Sequence, residues 1–409
     1  MLTRCGGSKK ATEADKKPVV KAASINQIHF FLETSASMGG YLKGGTAFKD
    51  VVSEIVTKAN TIKPVTVYTI SEAPKTFAGD LTAFVTGLAT TPLATGRSSE
   101  LHKVFRQVGE KAKGNDIAIL VSDCILSFPD AEIRKNPDIN QTDASSVLKS
   151  EIYNQFSQLN KAGIGATVYA YNSPFNGTYY DYQNRKQKLT GESRPFYVWV
   201  IGKQELLGQF NTQLQDLLTN KPAKQLNFGS GKALTAYELF FSLNKKGDWR
   251  VERGNVTELA VKPAKPAEFA VGLTLNSLPT YAQTDEFLKK NIVITAPSAT
   301  IKLITVQKKE AIKDISRLRE RELKLLNSAT HVLTFQVSNL YDDKADVTVK
   351  LPARSDDWYQ TTWTTMDDRT ADDRRNKTFA LEHLMNGVKE AYQSSSNDFL
   401  QLQFSLFKK

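Results

Sequence analysis

The sequence predicts an α/β chain: a doubly wound, mostly parallel sheet, followed by a β-rich, sandwich-like domain. Three observations carry this. Apolar runs of strand length alternate with helical periodicity from about Ile25 to about Leu218. The strands "IHFFLE" and "DIAILVSD" are apolar almost throughout, as expected of a sheet covered on both faces. After about Asn220 the pattern changes to short alternating segments with turn residues between them.

Each element follows from its own residues. "IHFFLE" is the first strand, and "AFKDVVSEIVTKA" is a helix with Phe48, Val51, Val52, Ile55 and Val56 at helical spacing. "VTVYTI" is a second strand, "SELHKVFRQVGEKA" a helix, and "DIAILVSD" the clearest buried strand. "SVLKSEIYNQFSQLNKAG" is a helix closed by Gly163, a residue suited to a left-handed C-cap. "GATVYAY" and "FYVWVIG" are further strands, and "KQELLGQFNTQLQDLL" a helix. Strands alternating with helices of this length imply crossover connections and a parallel sheet. Two polar, turn-rich interruptions, "LSFPDAEIRKNPDINQTDAS" and "NSPFNGTYYDYQNRKQKLTGESRP", leave from strand C-termini, where open α/β sheets place ligands.

Beyond residue 220, "VERGNVTELAVKP", "AEFAVGLTLN", "NIVITAP", "ATIKLITVQ", "HVLTFQVSNL", "ADVTVKLPA" and "DFLQLQFSLF" suit a sandwich. "KEAIKDISRLRERELKLL" and "FALEHLMNGVKEAY" are expected as inserted helices. The resulting division is a flexible tether over 1–24, an α/β domain over 25–220 and a β-rich domain over 221–409. The tether is Lys-rich and lacks apolar periodicity, so burial cannot offset the cost of ordering it.

The 409 residues carry 40% hydrophobic and 24% charged side chains, a globular composition that excludes a disordered chain. No run approaches the roughly 18 apolar residues of a membrane span. The net charge of +11 favours acidic partners in general. Much of the excess lies in the tail (Arg4 to Lys21) and in the stretch Lys302 to Lys324. Neither interleaves aromatics with basic residues, so nucleic acid is not expected as a partner. The first is read as a solvated linker and the second as a charged helix face. Two cysteines, Cys5 and Cys124, offer neither a disulfide framework nor a zinc site. The four histidines stand singly and are read as packed or surface residues.

The pattern with chemical content is "FFLETSASMGG". Glu33 ends the first strand, and Ser35 and Ser37 follow on one tight loop. "TGRSSEL" puts Ser98 and Ser99 just before a helix, and "ILVSDC" ends the central strand with Asp123. Hard cations such as Mg²⁺ take oxygen ligands and keep several waters. In an open α/β sheet these three places meet at one edge. The bland alternative is that Ser35, Ser37 and Asp123 only cap turns and satisfy loop amides. "DDRTADDRR", with Asp367, Asp368, Asp372 and Asp373, lacks calcium-loop spacing and is read as a solvated hairpin tip. Tyr179, Tyr180 and Tyr182 either line a contact surface or pack within their own loop.

This set, in this order, resembles the von Willebrand factor A domain and its metal-ion-dependent adhesion site. That family has Asp-x-Ser-x-Ser after its first strand, a Thr before a helix and an Asp ending a later strand. The matching positions are Glu33, Ser35, Ser37, Ser99 and Asp123, and the resemblance covers about Ile25 to Leu218. It implies a Mg²⁺ site (Mn²⁺ or Ca²⁺ being alternatives) and a protein partner whose acidic group completes the coordination, without catalysis. Glu33 stands where the family has Asp and Ser99 where it usually has Thr. The first acid of the family generally reaches the ion through water. The longer Glu33 either coordinates directly or crowds the site and leaves it empty. Two rival functions stay open: a metal-dependent hydrolase or phosphoesterase at the same edge, and a scaffold with a degenerate metal site. "MLTRCGGSKKATEADKKPVV" resembles a bacterial lipoprotein just after signal cleavage, with Cys5 lipidated and a polar tether after it. No hydrophobic signal core precedes Cys5 and Arg4 departs from the pattern, so the expectation is a truncated start. That reading places the protein at the cell envelope, held to membrane only through Cys5; the alternative is a cytoplasmic protein with a free tail.

Overall fold

The computed structural model describes residues 24–409 apart from 91, 92, 95, 97–99, 126–129, 230–232, 314, 317, 354–356 and 394–397. Seven strands form the first sheet: β1 (Ile28–Glu33), β2 (Val65–Ile70), β3 (Pro74–Thr76), β4 (Ile117–Ser122), β5 (Ile164–Tyr180), β6 (Lys186–Lys203) and β7 (Lys224–Phe228). Their order is β3-β2-β1-β4-β6-β5-β7.

The expected mostly parallel sheet is corrected to a mixed one. Only β1–β2 and β1–β4 are parallel. β2–β3, β4–β6, β5–β6 and β5–β7 are antiparallel. The cause is a long hairpin. β5 and β6 stay paired from Ile164–Lys203 to Tyr180–Lys186, so β6 enters between β4 and β5. The arms of this hairpin are the second polar interruption, read from sequence as a loop. Its tip is closed by Asp181, whose Oδ1 accepts from the Gln183 and Arg185 amides at 3.0 Å each. Such a side-chain turn replaces the backbone signal that would announce a hairpin.

The sheet is covered on both faces. Alternation in β1 sends Ile28, Phe30 and Leu32 to a core shared with the helices Ala47–Ile62 and Gln204–Leu217, and Phe31 to the opposite core. The opposite core holds the helices Leu101–Lys111 and Lys149–Lys161. It also takes in Trp358, Trp363, Leu384, Met385 and Val388, from far along the chain. The helix Leu381–Ala391 thus packs on the first sheet, and Tyr392 donates to the Ile164 carbonyl at 2.8 Å.

The remaining strands are β8 (Glu238–Leu239), β9 (Asp248–Glu252), β10 (Asn255–Ala260), β11 (Ala267–Leu273), β12 (Val293–Thr295), β13 (Ala299–Lys308), β14 (His331–Leu340), β15 (Lys344–Pro352), β16 (Thr364–Thr365), β17 (Thr378–Phe379) and β18 (Asp398–Lys408). They build a five-stranded sheet, β12-β15-β18-β10-β9, a four-stranded sheet, β13-β14-β11-β8, and the small β16–β17 pair. The two larger sheets share one core; the Phe404 ring of β18 lies 5.7 Å from Phe269 of β11, edge to face. Within "KEAIKDISRLRERELKLL" the helix is confined to its end, starting at Glu320 and running on to Ser328, with Ile312 and Ile315 in the preceding turns. Among the described residues no helix is long and apolar enough to cross a membrane.

Candidate functional site

Strand register builds the site. Leu32 of β1 pairs with Val121 of β4, so one step further Glu33 lies opposite Ser122. Period-two alternation puts both side chains on the same face of the sheet. Ser122 donates to Glu33 Oε2 and in turn accepts from the Cys124 amide at 2.9 Å. Ser35 donates to Glu33 Oε1 at 2.7 Å, and its oxygen lies 2.9 Å from Ser37 Oγ. Glu33, Ser35 and Asp123 are all buried, at 1%, 3% and 1% exposure. The chain after β1 turns at once into the 3₁₀ segment Ala36–Gly40, which holds the two serines close together.

Close packing explains the glycine that ends this loop. A Cβ on Gly40 would sit 2.2 Å from the Phe175 ring, and one on Gly177 would meet the Gly40 backbone at 2.7 Å. The β5 arm therefore lies directly against the serine loop. Ser173 on the same arm accepts from the Phe48 amide at 3.0 Å, tying the helix Ala47–Ile62 to it.

Asp123 is the anomalous group. Its Oδ1 accepts from the Ile125 amide at 3.2 Å, but among the described residues the buried Oδ2 has no hydrogen-bond partner. Burial first, and the neighbouring Glu33 second, push its carboxyl up to about 7; the Ser37 hydroxyl, the Ile125 amide and the Arg194 charge act the other way. The adjoining Cys124 adopts a left-handed backbone, φ 53°, uncommon for a residue with a side chain. Its buried thiol accepts from Trp199 Nε1 at 3.3 Å.

The structure thus brings Glu33, Ser35, Ser37 and Asp123 to one sheet edge. Ser99 lies outside the described residues. Nearby, the Gly96 amide donates to the Thr34 carbonyl at 2.9 Å, so the chain before the helix Leu101–Lys111 meets the end of β1. Among the described residues there is no cluster of three His, Cys, Asp or Glu side chains suited to a metal. The oxygen set is instead two carboxylates and serine hydroxyls.

Three further groups escape sequence reasoning. Ser122 reads as an ordinary strand residue until the register puts it against Glu33. Arg194 is 1% exposed, stacks 4.5 Å from the Tyr179 ring centroid, and donates to Tyr179 Oη at 3.2 Å and to the Arg374 carbonyl. Asp368 is also buried; it accepts from the Tyr179 hydroxyl and, at 2.9 Å, from the Tyr182 amide. "DDRTADDRR" is therefore no solvated tip throughout. Arg374 within it makes a two-pronged ion pair with Glu192, at 2.8 and 2.9 Å. Tyr179 and Tyr182 are buried, the latter stacked on Phe379 at 5.4 Å, so they serve packing rather than a contact surface. No known protein family matches this chain, and no curated protein or solved structure matches it either.

Proposed function

We propose that the protein is a non-enzymatic interaction module resembling von Willebrand factor A domains, which binds a divalent cation at the end of β1 and β4 and uses it to capture a protein partner. The observation that supports this most is Asp123: a buried carboxylate with one oxygen unpartnered among the described residues, next to a second buried carboxylate. Two such groups repel each other, and a hard cation removes the repulsion while taking up the spare oxygen. Asp123, Ser35 and Ser37 would hold the ion, with Glu33 oriented behind them by Ser35 and Ser122. Bound there, Mg²⁺ supplies a positive centre for an acidic side chain of the partner. Glu33 differs from the family's Asp by one C–C bond, roughly 1.5 Å, and that extra reach lets it meet Ser122 on the neighbouring strand. An acyl chain on Cys5 would tether the module at the cell envelope.

Calorimetric titration of the full chain with Mg²⁺ and Mn²⁺ tests the reading. Binding is expected in the wild type and lost in Asp123→Ala and in Ser35→Ala/Ser37→Ala, with the variants still folded. Equal affinity in all three proteins would refute the site. Metal-dependent turnover of an aryl phosphate, absent from Asp123→Ala, would favour a hydrolase instead.

A further inference from the structure

The two polar interruptions that leave the first sheet have no part in the metal reading, and the fold brings them together. The described part of the first forms the helices Asp130–Lys135 and Ile139–Asp143; the second ends in the β5–β6 tip. Asn140 Nδ2 donates to the Tyr182 carbonyl at 2.5 Å, and Gln183 Nε2 to Asp138 Oδ1 at 2.7 Å, so helices and tip are joined. Gln141 Nε2 donates to the Met366 carbonyl at 2.8 Å and ties in the 364–379 segment. The tip is a defined turn: Asn184 has a left-handed backbone, φ 60°, and its amide donates to the Asp181 carbonyl at 2.7 Å.

Between them lies an open cavity of about 510 Å³, a volume that suits a small ligand. Three cations line it: Arg134 from the helix side, Arg185 and Lys186 from the tip. Gln183 and Asn184 complete the polar lining, and Ile133 with Pro137 makes an apolar side. Among the described residues no carboxylate lines it. The acids nearby hold the wall instead. Asp138 accepts from Gln183, and Asp181, whose side chain is fully buried, accepts from Arg185 Nε and Gln187 Nε2 at 2.9 and 3.4 Å besides the two tip amides. Asp181 thereby fixes the Arg185 guanidinium while 54% of that side chain stays exposed. Lys186 Nζ lies over the Tyr180 ring, 5.9 Å from its centroid.

Cations gathered in one cavity repel one another, and an anion between them relieves the repulsion. A monocarboxylate brings a single negative charge; a phosphate monoester brings nearly two at neutral pH, on three acceptor oxygens. Two guanidinium forks and an ammonium match such a group. The cations meet in one cavity and not along a stripe, which suits a small ligand better than a nucleic acid backbone. We propose that the cavity binds a small organic phosphate, with the phosphate on Arg134, Arg185 and Lys186 and the organic part against Ile133 and Pro137. The site does not depend on the metal reading.

The test is calorimetric titration of the full chain, in buffer free of divalent metal, with phenyl phosphate, inorganic phosphate and benzoate. Phenyl phosphate should bind most tightly, inorganic phosphate more weakly for want of the apolar contact, and benzoate least, and added salt should weaken binding. Arg134→Gln and Lys186→Gln should each weaken phenyl phosphate by about tenfold or more. Their thermal unfolding should match the wild type, because both side chains are exposed. No binding of phenyl phosphate at low salt, benzoate bound as tightly as phenyl phosphate, or indifference to both substitutions would overturn the proposal. Tighter binding of a short DNA duplex, lost in the same variants, would also overturn it and reassign the cavity to nucleic acid.

Discussion

Replacing Asp123 by Asn changes one heavy atom of a buried group and should remove one component of how stability responds to pH. An aspartate ordinarily titrates near 3.8, and here the folded chain holds Asp123 up to about 7. Between those values the folded state keeps the proton that the unfolded state has already released. Stability therefore falls as pH rises through this window and levels off above the folded value. At about 1.36 kcal/mol per pH unit, the loss amounts to about 4 kcal/mol by pH 8, of the same order as the margin of a typical domain. Asn cannot ionise, so Asp123→Asn should lack this component. Urea unfolding of both proteins at acid and mildly alkaline pH, in chelator, measures it: the difference between them should grow with pH in favour of the variant. Taking the difference removes other titrating groups, His331 and Asp368 among them. Saturating Mg²⁺ should then raise the wild type, by about 2.7 kcal/mol at a hundredfold excess over its dissociation constant, and leave the variant unmoved. Parallel pH profiles for the two proteins would show that the Asp123 carboxyl is not destabilised by burial and Glu33, and the electrostatic case for a cation would fall with it.

Two other perturbations address the frame around the site. Glu33→Asp should withdraw the carboxylate from Ser122 and cost about 1–3 kcal/mol by leaving a buried partner unmet; a double-mutant cycle with Ser122→Ala should show coupling above about 0.5 kcal/mol, and strict additivity would mean that the two side chains do not sense each other. Arg374→Met removes one member of a mostly buried ion pair with Glu192 and should destabilise by about 3–5 kcal/mol, which chemical denaturation reads directly; a loss under about 1 kcal/mol would mean that this contact does not hold the 364–379 segment to the hairpin.

That segment also marks where reading along the chain stops working. Trp358 to Tyr392 follows a run of sandwich strands, yet its apolar residues complete the core of the first sheet. Helical periodicity announces that "FALEHLMNGVKEAY" has a face to bury, but not which partner buries it, because the pattern records only that water is excluded. The acidic run around Asp368 misleads for the same reason. Charge suggests solvent, and only the packing of Tyr179, Arg194 and Arg374 shows a buried, mutually neutralising set. The β5–β6 hairpin is hidden because its arms are half polar and its turn is made by the Asp181 side chain, without Gly or Pro.

The sequence alone determined the local facts. It located the first strand, the helix after it and the strand Val65–Ile70, though neither β3 nor the helix Leu81–Thr90; it ended the first strand on Glu33, put Asp123 at the end of a later one, and made a tight hydroxyl-bearing turn between Ser35 and Gly40. Those follow from periodicity and short-range sterics, which act between neighbours in the chain. Only the tertiary structure decided strand direction, the register that sets Ser122 against Glu33, the burial that raises Asp123 and leaves its Oδ2 without a partner among the described residues, and the return of 358–392 to the first core. Each of these depends on contacts between residues tens to hundreds of positions apart, and on a low dielectric that exists only once the chain has closed around them.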